Sequence, residues 1–257
     1  MDFAAYPLSL IFFASIVGIL TASEIGRRFG LLNSRRSRQN ISTLEGSILG
    51  LLALMIGFTF AMALSGFEQR RGAVLNEANA ISTTASRARL LPAPHSTECI
   101  KLLREYVQVR LEITRRVLPP KENAAAISRS RAIQEALWQQ AKAVAVKNNA
   151  MVPTGLFIQA LNEMFDRHEA RHAVFLNRVP NTVLTALYGL AIVASAFAGY
   201  AAGLDAQRSR LPIYTMGALV SIVIFLIQDI DRPGPGLITV SQQPMLDAAA
   251  SIAEFAD

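Results

Sequence analysis

His168-Glu169-Ala170-Arg171-His172 matches the H-E-x-x-H spacing. On a helix this puts two imidazoles one turn apart, able to share a zinc ion while the glutamate activates a water. Such a centre needs a third protein ligand. The chain has one other histidine, His95, none after His172, and its later carboxylates lie beyond another long apolar segment. Positions 168 and 172 also continue an apolar stripe through Phe157, Leu161 and Met164, so both histidines read as core positions. Neither a metal site, a cofactor nor an enzymatic activity is expected.

Three other sets of residues could do chemistry. Asp229 and Asp231 are two carboxylates where calcium prefers six to eight oxygens, so Asp229, Asp231 and Arg232 read as an anchor for the C-terminal tail, the arginine pairing with an aspartate. A weak ion site is the alternative. Asn76, Glu77 and Asn79 interrupt a stripe of small residues, Ala78, Ala80 and Ala85, and either bond across helices or form a solvated face. The lone Cys99 has no disulfide partner and reads as a small core residue.

The elements that must position these residues are set by hydropathy. Half of the chain is hydrophobic (52%) and only 17% is charged, too apolar for an ordinary soluble protein. The apolar residues gather in four runs free of Asp, Glu, Lys, Arg and His: Leu8 to Ala22, Ile48 to Leu64, Val183 to Gly203 and Leu211 to Ile227. A helix of about 20 residues crosses a bilayer core of about 30 Å, a length each run meets with its flanks. Only Asp2 precedes the first run, where a signal peptide would carry basic residues, so that run reads as a permanent span. No ionisable residue lies at membrane depth, unlike most ion-coupled transporters. Small residues recur every fourth position as Ala14/Gly18/Ala22, Gly46/Gly50 and Ser195/Gly199/Gly203, rows that let helices approach closely.

Between the second and third runs, residues 66–180 hold 17 basic and 10 acidic residues. Pro92, Pro94, Pro119, Pro120 and Pro153 divide them into four pieces. Their stripes run through Phe67, Val74, Ala78, Ile81, Ala85 and Ala88; then Ile100, Leu103, Val107, Leu111, Thr114 and Leu118; then Ile133, Leu137 and Val144; and finally Phe157, Leu161, Met164, His168 and Phe175. These predict an all-α membrane protein of four transmembrane helices with an inserted four-helix aqueous bundle. The divisions are 1–64 for the first two spans and their basic link, 65–180 for the bundle, 181–230 for the last two spans and 231–257 for the tail. Asp229 to Gly236 is expected to be non-helical, Leu237 to Val240 extended and Pro244 to Phe255 helical.

The net charge of +6 comes from 25 basic residues interleaved with 19 acidic ones. That pattern lacks a nucleic-acid-binding motif and points to anionic lipid heads beside the membrane. Arg27, Arg28, Arg35, Arg36 and Arg38 link the first two spans, and Arg208 and Arg210 the last two. The positive-inside rule puts both links in the cytoplasm and the bundle, with both termini, outside. In the second span Gly50, Leu54 and Phe58 share one helical face, and Ile56 and Phe60 another. Such faces serve packing or a hydrophobic pore constriction.

The motifs Gly57-Phe58-Thr59-Phe60-Ala61-Met62-Ala63, Glu77-Ala78-Asn79-Ala80-Ile81, Leu161-Asn162-Glu163-Met164, Asp229-x-Asp231-Arg232-Pro233 and Val240-Ser241-Gln242-Gln243-Pro244 resemble the bestrophin-like domain family of bacterial membrane proteins. The resemblance spans about residues 45 to 247. It implies kinship to bestrophins, pentameric anion channels whose second helix lines a hydrophobic neck. The neck pattern I-P-L-S-F-V-L-G-F-Y-V falls over Gly50 to Phe60, its ring positions on Gly50, Leu54 and Phe58; Gly57 and the aromatic Phe58 match it, while Gly50 replaces an isoleucine and Leu54 a phenylalanine. The resemblance therefore implies a homo-oligomeric channel of the bacterial inner membrane, passing chloride or other small anions, with its helical portion and termini cytoplasmic, the reverse of the arginine count. The alternative is a structural or sensory protein whose bundle binds a ligand or partner.

Overall fold

A computed structural model describes residues 6–33, 39–115, 120–147, 152–204, 210–234 and 236–255. Asp2, Arg35, Arg36, Arg38, Leu118, Pro119 and Arg208 lie outside the described residues, as do the side chains of Thr114 and Pro120. All regular structure described is helical: α1 (Leu8–Leu32), α2 (Gln39–Ala88), α3 (His95–Arg115), α4 (Pro120–Lys147), α5 (Val152–Leu176), α6 (Asn181–Gly203), α7 (Leu211–Asp231) and α8 (Gln243–Ala253). Proline sets several starts, because its fixed φ suits a first turn where no N–H bond is needed: Pro120 opens α4, Pro153 sits in the first turn of α5 and Pro180 precedes α6. Four helices among the described residues are long and apolar enough to cross a membrane.

The chain divides into two compact units. The first comprises Met1–Phe67, Arg178–Arg232 and Gly236–Ile238, and the second Glu68–Asn177, Pro233–Pro235 and Thr239–Asp257. In the first unit Ile19, Leu52, Ala63, Leu187, Ala191, Ile224 and Ile227 share a core. α1 and α6 approach closely because glycines face each other across their crossing. A Cβ on Gly26 would collide with the Ala196 carbonyl, on Gly199 with that of Ser23, and on Gly203 with that of Arg27. The expected Ser195/Gly199/Gly203 row thus meets a row on α1 that runs on to Gly26 and Gly30, while Gly18, Gly46 and Gly50 have no atom within 4 Å of such a Cβ.

The second unit buries the expected stripes: Val74, Ala78, Ile81, Ala85 and Ala88 of α2, Ile100, Leu103, Val107 and Leu111 of α3, Ile133, Leu137 and Val144 of α4, and Phe157, Leu161 and Met164 of α5. Each buried Leu, Ile or Phe contributes about 1.5–3 kcal/mol relative to exposure. Cys99 is buried here, and burial pushes its thiol up to about 12. Met245, Ala248 and Ile252 of α8 join the same core. Arg104 holds the C-terminal end of α8, donating to the carbonyls of Ile252 (3.3 Å) and Phe255 (2.5 Å), where a cation suits the helix dipole.

The end of the fourth span differs from expectation. Asp229, Ile230 and Asp231 are helical, and α7 stops at Asp231. Arg232 precedes Pro233 and takes an extended conformation, φ −79° and ψ 129°, as the proline ring demands of its predecessor. Leu237 to Val240 is non-helical and forms no strand.

Candidate functional site

The first half of α2 has two unlike faces. Leu52, Thr59 and Ala63 turn inward and are buried, and Ile56 and Phe60 pack half-buried against the same core. Gly50, Leu54 and Phe58 turn the other way. Leu54 is 55% and Phe58 62% exposed, and Leu51 and Met62 flank them. A Cβ on Gly50 or Gly57 would meet nothing within 4 Å, so packing within this chain does not require either glycine to be small. The face is apolar, charge-free over Ile48 to Leu64, and uncovered by the rest of its own unit.

At the tail the two aspartates are buried and serve backbone donors. Asp229 Oδ1 accepts from the Leu237 N–H at 3.0 Å and Oδ2 from the Ile238 N–H at 2.8 Å. Asp231 Oδ1 accepts from the Val179 N–H at 2.9 Å. Charge-assisted bonds of this kind are about twice as strong as neutral ones. Gly236 permits the turn, since a Cβ there would strike the Asp229 carboxylate. Arg232 donates to the Tyr6 carbonyl at 2.8 Å.

The second unit contains a cluster of charge that the sequence only hinted at. Of Asn76, Glu77 and Asn79, the outer two are exposed and Glu77 is fully buried. Arg110 reaches it with Nε to Oε1 at 2.9 Å and Nη2 to Oε2 at 3.4 Å, and Arg171 Nη1 reaches Oε2 at 2.5 Å. His168 Nδ1 lies 3.2 Å from Oε1, and because a carboxylate only accepts, the ring proton belongs on that nitrogen. Arg171 also donates to Gln242 Oε1 at 3.1 Å. Burial raises the Glu77 carboxyl, but the His168 bond and the two guanidiniums outweigh it and hold the group down at about 2. Burial, with like charge on Arg110, lowers the Arg171 guanidinium against the attraction of Glu77.

This placement revises the reading of the H-E-x-x-H residues. His168 does lie against the core, edge-on to Tyr106, but His172 and Glu169 are exposed, and Arg171 takes the inward position instead. A stripe through 157, 161, 164, 168, 171 and 175 advances about 3.6 residues per turn, so the fifth inward position is 171 rather than 172. Among the described residues no three His, Cys, Asp or Glu side chains converge as metal ligands. Arg110 and Gln242 were not anticipated as partners. Arg110 lies three residues after Val107 and beside Leu111, a position on the inward stripe of α3 that could have marked it.

An all-helical architecture, four spanning-length apolar helices and an exposed charge-free face on the second define a polytopic membrane protein. The bestrophin-like domain matches residues 12–245, and the chain belongs to that family. Its fold is similar to the crystal structure of a bacterial bestrophin homologue from Klebsiella pneumoniae, at 14% identity and a TM-score of 0.68, covering 96% of this chain and 98% of that one. A tryptophan-to-alanine variant of that homologue gives 13% identity and 0.71, over 94% and 97% of the two chains. A membrane protein with a leucine-to-alanine substitution gives 13% and 0.69, again over 94% and 97%. A comparison with curated proteins gave no match.

Proposed function

We propose that the chain is one subunit of an oligomeric membrane channel permeable to small anions such as chloride, with Gly50, Leu54 and Phe58 of α2 forming a hydrophobic constriction. The observation that carries this is the bare apolar face of α2, on which Leu54 and Phe58 are more than half exposed. Family membership supports it, and the resemblance to bestrophins suggests five copies. Repeated around an axis, the Phe58 rings narrow and dry the path, and ions cross when it wets. The segment 65–180 is the aqueous bundle in this reading, and Asp229, Asp231 and Arg232 anchor the tail.

Protein reconstituted in liposomes is expected to carry chloride above empty liposomes. Phe58→Ala is expected to raise that flux about tenfold, the factor given by removing ~1.4 kcal/mol from a barrier. Silence from both proteins would favour the structural or sensory alternative, in which the bundle binds a ligand or partner.

Orientation is proposed from charge. Moving an arginine into the membrane centre costs about 2.5 to 3.5 kcal/mol on insertion scales, so the basic links stay in the cytoplasm and the bundle lies outside. Asn123, in the first turn of α4, is a suitable reporter because the native Cys99 is buried and unreactive. Asn123→Cys is expected to react with an impermeant thiol reagent on intact cells. Reaction only after cell breakage would place the bundle in the cytoplasm.

A further inference from the structure

Between α1 and α7 the first unit carries an open groove of ≈ 480 Å³ lined by Leu20, Thr21, Glu24, Ile25, Arg28 and Tyr214. It lies where the run Leu8–Ala22 finishes and the run Leu211–Ile227 begins, the level of a bilayer's headgroups, and Leu20 and Ile25 form its apolar wall. The Tyr214 hydroxyl donates to Glu24 Oε2 at 2.8 Å, and Arg28 Nε stands 3.5 Å from Glu24 Oε1. Two more guanidiniums, those of Arg27 and Arg210, are near enough for their charge to act on both Glu24 and Tyr214. One carboxylate therefore faces three arginines, which leaves a surplus of two positive charges. The sequence around them keeps that sign, because residues 23–40 and 204–211 hold seven arginines against Glu24 and Asp205. α7 begins at Leu211 with no side-chain cap, so its N-terminal dipole adds to the same positive field. Arg27 makes the strongest demand. It is only 8% exposed, yet among the described residues nothing accepts a hydrogen bond from its guanidinium.

We propose that this groove binds an anionic phospholipid, its phosphate among Arg27, Arg28 and Arg210 and an acyl chain along Leu20 and Ile25. The charge surplus selects this occupant. A phosphodiester with an uncharged headgroup brings one full negative charge, and its oxygens suit guanidinium N–H donors. A zwitterionic lipid brings no net charge and would set its own ammonium among three guanidiniums. Glu24 does not take the place of the phosphate, since its two oxygens are engaged by Tyr214 and Arg28 and leave Arg27 and Arg210 to be answered. A free inorganic anion would answer the arginines but leave Leu20 and Ile25 uncovered, whereas a lipid meets both ends of the groove. The proposal rests on the membrane placement of the chain and holds whether or not the protein conducts ions.

Native mass spectrometry of the full-length protein in detergent, titrated with short-chain phosphatidylglycerol, phosphatidylethanolamine and phosphatidylcholine, tests it. Phosphatidylglycerol is expected to bind about twentyfold more tightly than either zwitterionic lipid, the effect of two surplus basic residues beside a membrane surface. Arg27→Gln, Arg28→Gln and Arg210→Gln are each expected to weaken phosphatidylglycerol about fivefold. Arg28 and Arg210 are exposed, so their variants keep the test open should Arg27→Gln fail to fold. Glu24→Gln, which removes the one negative charge of the groove, is expected to bind phosphatidylglycerol more tightly than the wild type. Lys101→Gln, an exposed substitution in the second unit, is expected to change nothing. Equal affinity for the three lipids, the same loss in Lys101→Gln as in Arg28→Gln, or weaker phosphatidylglycerol binding in Glu24→Gln would overturn the proposal. Inorganic phosphate competing at the concentration of the lipid would overturn it in favour of a free-anion site. A disulfide formed by Thr21→Cys between two copies of the chain would do so in favour of a contact between subunits.

Discussion

Glu77→Gln is expected to destabilise the second unit by about 3–5 kcal/mol, the range for removing one partner of a buried ion pair. Glutamine keeps the shape of the side chain but removes the countercharge between Arg110 and Arg171, and leaves Arg171, 2% exposed, buried as an uncompensated cation. Changing Glu77, Arg110 and Arg171 together to leucine is expected to restore most of the loss, because no charge then remains to be desolvated. The wild-type protein carries the same effect as a pH dependence. The Glu77 carboxyl is lowered from 4.5 to about 2 on folding, so its contribution of about 3 kcal/mol is complete above pH 4.5 and fades as pH falls toward 2. Thermal unfolding followed between pH 6 and pH 2.5 should show this acid loss in the wild type and a much smaller one in Glu77→Gln. Equal midpoints for the two proteins at pH 6 would show that the cluster does not hold the unit together.

The second large effect is expected from a single methyl group. Gly26→Ala drives a Cβ into the Ala196 carbonyl oxygen, and because both partners are helix backbone the clash cannot be relieved by a side-chain rotation. α1 and α6 must then part along the row of Gly26, Gly30, Gly199 and Gly203, at about 3 kcal/mol, the upper end of ordinary overpacking. Gly18→Ala on the same helix meets nothing within 4 Å. It should be neutral or slightly stabilising, since alanine is the better helix former by about 1 kcal/mol. Denaturation in mixed detergent micelles compares the two variants directly. Equal stability of Gly26→Ala and wild type would mean that the two helices are not in close contact in the membrane.

Much of this fold was legible in the sequence because its signals are long. Charge-free runs locate the four spanning-length helices, and prolines 120, 153 and 180 coincide with helix starts. The end of α7 was misread because Asp229 and Asp231 look like turn residues, yet both can remain helical until the demand of Pro233 is felt at Arg232. The outward position of Gly50, Leu54 and Phe58 follows from helical period, since Leu52, Thr59 and Ala63 occupy the opposite face. The buried charges were harder to find. Residues 66–180 are rich in arginine and glutamate, and nothing in a single sequence says which of them face inward. Arg171 betrays itself only by lying seven residues after Met164, and Glu77 by lying three after Val74. The partners of Glu77 come from α3 and α5, and a further partner of Arg171 from the segment before α8, separations that no local pattern encodes.

The ion cluster also fixes alignment along the helix axes. The core of the second unit is rich in alanine, with Ala78, Ala85, Ala88, Ala141 and Ala248 all buried, and smooth alanine surfaces discriminate poorly between neighbouring registers. Sliding α5 by one turn, about 5.4 Å, would carry Phe157, Leu161 and Met164 along a core in which the neighbouring helices present many small side chains. It would also carry Arg171 and His168 away from Glu77, and Arg171 away from Gln242. Five polar side chains on four segments therefore act as a ruler, and only one longitudinal alignment of α2, α3, α5 and the tail satisfies all their bonds at once.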